Sequence, residues 1–215
     1  LMIKVQEPPI KKPEWLKIKL NTSENFSDMK ELMAKHSLHT VCEGARCPNI
    51  YECWNHRTAT VMILGDTCTR ACGFCSIKTG KPLQVDRNEP NRVADLVKKL
   101  SLRHVVITSV DRDDLKDDYG AIIWHDTINQ IKKERPECTI EVLTPDFRGY
   151  EPSLDLVFAA KPHIFSHNIE CVQRISRQVR TQSNWQRSLN VLKYAVDRKM
   201  STKTGMMVGL GETNQ

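Results

Sequence analysis

Six of the eight cysteines fall between positions 42 and 75, in two groups of different spacing. The later group, Cys68-Thr-Arg-Ala-Cys72-Gly-Phe-Cys75, has the form C-x3-C-x2-C. Three thiolates this close in sequence can converge on one metal centre, and Gly73 is expected to let the backbone turn tightly between them. Structural zinc usually takes four ligands, and no fourth cysteine or histidine follows at a finger-like spacing. An iron–sulfur cube also normally takes four cysteines, so three would leave one iron open to a further ligand, which is how a metal site becomes reactive. Zinc on a thiolate triplet stays open as an alternative on these residues alone. The earlier group, Cys42-Glu-Gly-Ala-Arg-Cys47-Pro-Asn-Ile-Tyr-Glu-Cys53, has the form C-x4-C-x5-C and by itself suits zinc, a cluster or scattered core thiols. Cys138 and Cys171 lie far from both groups and read as small apolar residues.

Elements that could position these groups follow from residue 58 onward. Short apolar runs predict strands over 61–64, 104–108, 140–143, 164–165 and 206–208, and helical periodicity predicts helices over 91–100, 119–134, 153–160 and 184–198. Strands alternating with helices imply an α/β fold with parallel pairing through right-handed crossovers. The segments after the strands, such as 108–114 and 167–170, are polar, as active-site loops are in such folds. Upstream, Pro8, Pro9 and Pro13 keep the start irregular. Ser27 is a candidate N-cap for a helix over 28–35 with Met29, Leu32 and Met33 on one face. Residues 40–60 read as a ligand-bearing loop. Two regions are therefore expected: an N-terminal arm with its cysteine loop over 1–57, and an α/β core over 58–215.

The chain has 215 residues, 40% hydrophobic and 27% charged, so it is neither a membrane protein nor a disordered one in composition. No apolar run approaches the roughly 18–20 residues that span a bilayer. Its first twenty residues hold five lysines, two glutamates and three prolines and no apolar signal core, so secretion is not expected and the cysteines read as ligands rather than disulfides. The net charge of +6 is concentrated: residues 172–203 carry eight basic side chains and one acid, a net +7, which leaves −1 for the rest. A docking face for an acidic protein or a nucleic acid, or an ordinary solvated helix face, would both look like this.

C-x3-C-x-aromatic-C after the first strand of an α/β barrel resembles the signature of the radical S-adenosylmethionine superfamily. That resemblance implies a partial (β/α)6 barrel in which Cys68, Cys72 and Cys75 hold a [4Fe–4S] cluster, with Phe74 beside it. Its open iron would chelate S-adenosylmethionine, and an electron from the cluster would release a 5′-deoxyadenosyl radical. Preceded by C-x4-C-x5-C, the motif resembles the lipoyl synthase family over about residues 13–213. The matching stretches include Val41-Cys42-Glu43, Arg46-Cys47-Pro48-Asn49, Glu52-Cys53-Trp54-Asn55, 58–74, 106–115, 140–149 and 205–213.

The family resemblance implies sulfur insertion at carbons 6 and 8 of an octanoyl chain on a lipoyl carrier domain. Cys42, Cys47 and Cys53 would hold a second, sacrificial [4Fe–4S] cluster that supplies the sulfur. The carrier would be a 2-oxoacid dehydrogenase E2 component or the glycine cleavage H protein, and the reductant a ferredoxin or flavodoxin. Thr108 and Ser109 would meet the methionyl part of the cofactor, Asn168 and Glu170 its ribose or amino group, Arg180 its carboxylate, and the Gly209-Leu210 backbone its adenine. His167 is a further candidate, whereas Lys78 and Lys81 read as surface charges. Tyr51 stands where the family usually has glycine, so a different loop geometry is expected there. The family closes the second cluster with a serine near its C terminus; that motif is not in this sequence, and a C-terminally truncated chain lacking the last βα unit is expected. A cytoplasmic location follows, or the mitochondrial matrix in a eukaryote, with no membrane or nucleic-acid partner. Two alternatives stand: a non-catalytic iron–sulfur module, and a related radical enzyme that thiolates tRNA.

Overall fold

Strict alternation at the start of the core decides which way its first strand faces. In Thr58-Ala59-Thr60-Val61-Met62-Ile63 every second residue is buried, so Ala59, Val61 and Ile63 face the covering helices while Thr60 and Met62 face the concave side. The computed structural model describes residues 23–35, 41–44, 47 and 49–213. In chain order its elements are α1 (Glu24–Lys35), α2 (Val41–Gly44), α3 (Ile50–Asn55), β1 (Thr58–Ile63), β2 (Thr67–Cys68), β3 (Lys78–Thr79), α4 (Glu89–Lys99), β4 (His104–Ser109), α5 (Ala121–Glu134), β5 (Thr139–Leu143), α6 (Glu151–Ala159), β6 (Ile164–Ser166), α7 (Gln173–Val179), α8 (Trp185–Asp197) and β7 (Thr202–Lys203). The main sheet runs β1-β4-β5-β6-β7, all parallel, each strand pairing with the next to be made. That is the α/β partial-barrel architecture expected from the alternation.

Helices cover the outer face, with α4 against α5 and α5 against α6. α4 carries Pro90 in its first turn, Glu89 at its positive end and Lys98 and Lys99 at its negative end, and it buries Val93, Ala94, Leu96 and Val97 on one stripe. Between helices and sheet lie Val97, Leu100, Val105, Ile107, Trp124, Ile128 and Phe165, all fully buried. Phe165 meets Phe158 edge-on at 5.0 Å.

Several expectations are corrected. α1 starts at Glu24, because Ser23 rather than Ser27 accepts the Phe26 amide, at 3.3 Å. The stretch read as a ligand-bearing loop over 40–60 contains two short helices; α3 packs on α1, with Trp54 buried and Phe26 and Tyr51 stacked at 4.9 Å. Tyr51 is thus accommodated by directing its ring at α1. The last strand is 202–203, not 206–208: Met206 makes only a lone bridge to Glu170, and Val208 is 90% exposed. Lys203 sets that pairing by reaching the buried Glu141. α7 has only Ile175 as a buried apolar side chain, too weak a stripe to read from sequence. The prolines over 1–22, Arg46 and Pro48 lie outside the described residues.

The basic segment is also redistributed. Arg187 is bound to Asp146 at 2.7 Å, Arg198 to Asp155 at 2.5 Å and Lys203 to Glu141 at 2.9 Å, while Arg180 is buried. Half of the eight cations are therefore buried or paired within the chain, three of them with acids that lie elsewhere in the sequence.

Candidate iron–sulfur and cofactor site

At the C-terminal ends of β1, β4, β5 and β6 lies a cavity of about 300 Å³. Cys68, Cys72, Phe74 and Cys75 form one wall; Thr108, Ser109, Asp111, Asn168, Glu170 and Arg180 face them. The loop from β1 to α4 is folded by its own two-strand pairing, which sets Cys68 opposite Thr79, and by Gly80 N–H on Cys68 O at 3.0 Å. Gly73 has no positive φ, and a Cβ there would meet its nearest neighbour at 3.8 Å, so the turn does not require glycine as expected. Glycine is required instead at Gly120, with φ +85° and the Leu64 side chain 2.7 Å from any Cβ built on it, and at Gly205, where a Cβ would lie 2.8 Å from Asn168 Oδ1.

Two buried arginines fasten this loop. Arg70, between the first two cysteines, contacts Asp111 at 3.1 Å, Asp113 at 2.7 Å and Asp146 at 2.7 Å, acids from the loops after β4 and β5. Arg112 runs the other way: it donates to Leu64 O at 3.2 Å and Leu83 O at 3.0 Å, joining the two ends of the loop, and pairs with Asp114. Burial pushes Asp111 up to about 6 although Arg70 pulls it down, whereas Asp146, also buried, is held below the usual carboxylate range by Arg70 and Arg187. Sequence reasoning assigned no role to these residues; the charge density of Asp111-Arg112-Asp113-Asp114 at a strand end was the available signal.

Backbone N–H groups of Arg70 and Asp111 point at Cys68 Sγ, at 3.4 and 3.3 Å. Burial raises the Cys72 thiol to about 11; Arg180 opposes this, while Asp111, Cys75 and Cys68 add to it. All three of these thiols line the same cavity. The Cys53 thiol is likewise raised, first by burial and then by Cys42 and Cys47. Val41, beside Cys42 in sequence, joins Thr60 and Met62 in the cavity wall, whereas Cys42, Cys47 and Cys53 do not themselves line it.

The remaining candidates divide. Thr108 and Ser109 donate their hydroxyl protons to Leu143 O and Val110 O, leaving oxygen lone pairs as acceptors. Asn168 binds the half-buried Glu170, whose carboxyl is raised by burial. Arg180 is only 6% exposed, with Ile169 O at 3.0 Å, and is not a solvated arginine. His167 donates Nδ1–H to Thr144 O at 2.8 Å and meets Ser188 Oγ through Nε2 at 3.0 Å, a neutral ring in a fixed tautomer that joins β6 to α8. Gly209 and Leu210 do not line the cavity; their amides bind the Glu212 carboxylate. Lys78 and Lys81 are exposed, and Cys138 and Cys171 are buried, as expected.

Among the described residues no three His, Cys, Asp or Glu side chains are placed to hold a single metal ion. The donor chemistry fits an iron–sulfur cluster: three free thiols on one fastened loop, amides aimed at one sulfur, and an adjoining cavity with cationic and acidic groups for a zwitterionic ligand.

The class follows from fold and loop together. The family model of the radical SAM superfamily matches residues 62–215, and methylornithine synthase (TM-score 0.55, 14% identity, 87% of this chain and 57% of that one) shares the fold, as does a maturase of the [FeFe]-hydrogenase (TM-score 0.54, 11% identity, 87% and 48%). The N-terminal domain of lipoyl synthase matches residues 3–47. Lipoyl synthase of Flavobacterium psychrophilum is 49% identical over 208 residues, 96% of this chain and 71% of that protein; that of Symbiobacterium thermophilum is 54% identical over 207 residues, 95% and 64%. The chain belongs to the lipoyl synthase family, and is a radical S-adenosylmethionine sulfurtransferase that uses iron–sulfur chemistry.

Proposed function

We propose that this chain inserts sulfur at carbons 6 and 8 of a protein-bound octanoyl chain, with Cys68, Cys72 and Cys75 holding one [4Fe–4S] cluster and Cys42, Cys47 and Cys53 a second that is consumed as sulfur donor. The observation that carries this reading is a largely apolar cavity that Cys68, Cys72 and Cys75 line on one side and Val41, the neighbour of Cys42, closes together with Met62, Ile77, Leu143 and Pro145. Such a wall suits an acyl chain, because apolar carbon leaves water as it enters. The N-terminal region over 1–57 carries the sulfur donor, and the core over 58–215 carries the radical chemistry.

When bound and reduced, the first cluster with S-adenosylmethionine supplies a hydrogen-abstracting radical, and the protein positions and shields it. Arg180 offers a guanidinium to the cofactor carboxylate. Thr108 and Ser109 present acceptors to its ammonium, and Asn168 and Glu170 can hold ribose hydroxyls or the amino group. Phe74 shields the cluster side of the cavity. The Gly209-Leu210 backbone meets the adenine only after releasing Glu212. The partner is an octanoylated carrier domain, of a 2-oxoacid dehydrogenase or the glycine cleavage system, with a ferredoxin or flavodoxin as reductant. No helix among the described residues is long and apolar enough to cross a membrane, and a cytoplasmic setting suits thiolate clusters.

Anaerobic reconstitution tests the reading: two cubes require about eight irons with matching sulfide. Incubation with reductant, S-adenosylmethionine and an octanoyl-lysyl peptide should then yield 5′-deoxyadenosine and dithiolated peptide. About four irons, or cofactor cleavage without thiolation at full iron loading, would contradict it.

A further inference from the structure

Below the cavity the concave side of the sheet ends in charge. Strand register sets Met62 beside Thr108 and Thr108 beside Leu143, a layer whose three members all line the cavity. One step of the alternation lower, about 7 Å along the strands, Thr60 stands beside Val106 and Val106 beside Glu141. Thr60 still lines the cavity, so the cavity reaches this second layer on the β1 side; across the sheet Glu141 lies on β5, two residues below the cavity-lining Leu143 and on the same face.

Glu141 is buried there, its side chain 7% exposed. Its carboxylate accepts from Lys203 Nζ at 2.9 and 3.1 Å and from Ser166 Oγ at 2.9 Å, and His104 Nε2 stands 3.7 Å away. The Lys203 side chain is 60% exposed, so the ammonium approaches from the solvent side while the carboxylate closes the layer from within. A methylene sliding past Met62 and Leu143 leaves water for an apolar wall, which is favourable. A methylene pushed to the next layer would displace hydrogen bonds from a buried ion pair, which costs more than the transfer returns.

We propose that the Glu141–Lys203 pair is the stop that measures acyl-chain length: a chain entering from the strand ends lies along Met62 and Leu143 and its methyl terminus meets the pair. The stop rests on the acyl-chain reading of the cavity. It selects fatty-acyl chains short enough to end above the carboxylate, and it rejects longer ones by charge rather than by bulk.

Calorimetric binding of octanoyl-, decanoyl- and unacylated lysyl peptides to the reconstituted protein, with S-adenosylmethionine present, tests this. Two more methylenes tighten binding roughly tenfold where a pocket is open and apolar. Here the decanoyl peptide should instead bind at least tenfold more weakly than the octanoyl one. In the Glu141→Met/Lys203→Met double variant the order should reverse. The charge-swapped Glu141→Lys/Lys203→Glu protein keeps a charged floor and should keep the original order, and it carries the test should the double methionine variant fail to fold. An unchanged ratio in the methionine variant, or decanoyl preference in the swapped one, overturns the stop. Equal binding of acylated and unacylated peptides by the unaltered protein would overturn the acyl-chain reading itself, and the stop with it.

Discussion

The two cysteine regions are built on opposite principles. The loop over 64–83 is tied by charge: Arg70 reaches three carboxylates, and Arg112 joins the carbonyls of Leu64 and Leu83. The stretch over 41–55 packs through carbon: Cys42 and Trp54 are buried, and Phe26 lies 4.9 Å from Tyr51 and 5.4 Å from Trp54. The difference suits the proposed division of labour. A cluster that must stay in one geometry while it passes electrons gains from a frame that is costly to distort. A cluster dismantled for its sulfur needs a frame that survives without it, and packed aromatics do not depend on the ligand's charge.

Loss of one ligand from each trio should separate the regions most sharply. Cys68→Ala is expected to abolish 5′-deoxyadenosine formation, whereas Cys42→Ala should retain it and lose sulfur insertion; both are read by chromatography of one anaerobic reaction. Loss of cleavage in both variants would erase the distinction.

Removing a frame comes next. Arg70→Met leaves Asp111, Asp113 and Asp146 without their shared cation, and breaking a buried pair from one side costs about 3–5 kcal/mol. Iron retained after reconstitution should fall by about half, with the second cluster's signal kept in low-temperature spectra. Phe26→Ala should do the converse, at about 3–5 kcal/mol for a large-to-small aromatic change, reduced by the partial exposure of the ring.

Acid distinguishes the two frames more gently. Burial would raise Asp146, but its hydrogen bonds and attraction to Arg70 and Arg187 hold it below its ordinary 3.8. A depressed carboxyl contributes fully above that ordinary value, and its contribution is lost as the pH falls beneath it. The stability gap between the unaltered protein and Asp146→Asn, from denaturant titrations, should therefore narrow as the pH drops below 3.8. The gap to Phe26→Ala should stay level over the same range. The smallest effects belong to Cys138→Ala and Cys171→Ala: about 1 kcal/mol each, as for other small core truncations, with iron content unchanged. Iron loss in either would give that thiol a place in one of the two regions.

How far the sequence spoke for itself differs between the same regions. The parallel core was legible because strand alternation and helix periodicity switch cleanly between residues 58 and 200. The boundary at β7 was not, since the apolar run over 206–208 lies in an exposed loop while Thr202 and Lys203, neither strongly apolar, make the pairing. Cysteine spacing gave the site its candidate ligands, but not the clamp. Arg70 looked like an ordinary residue between two cysteines, because its three acids come from 41 to 76 positions further along. Arg180 looked solvated for the same reason: its burial depends on Ile169 and Ser188 folding around it. Short α2 and α3 were hidden because their helicity comes from packing, α2 on β1 and α3 on α1 and β1, rather than from a repeating pattern.

The wall that carries Cys72 has one more property, and it concerns time. Cys72 bridges Arg180, Gly73 N–H binds Val179 O, and Ala71 N–H binds the Gln182 side chain across 111 positions. A ribosome makes the three cysteines long before it makes these partners. The cysteine loop on a nascent chain thus lacks one side of its frame until residue 182 has emerged. Insertion of the proposed cluster into the finished frame would therefore be a late, post-synthetic event, and a chain stalled before that point would display its thiols without the surface that encloses them.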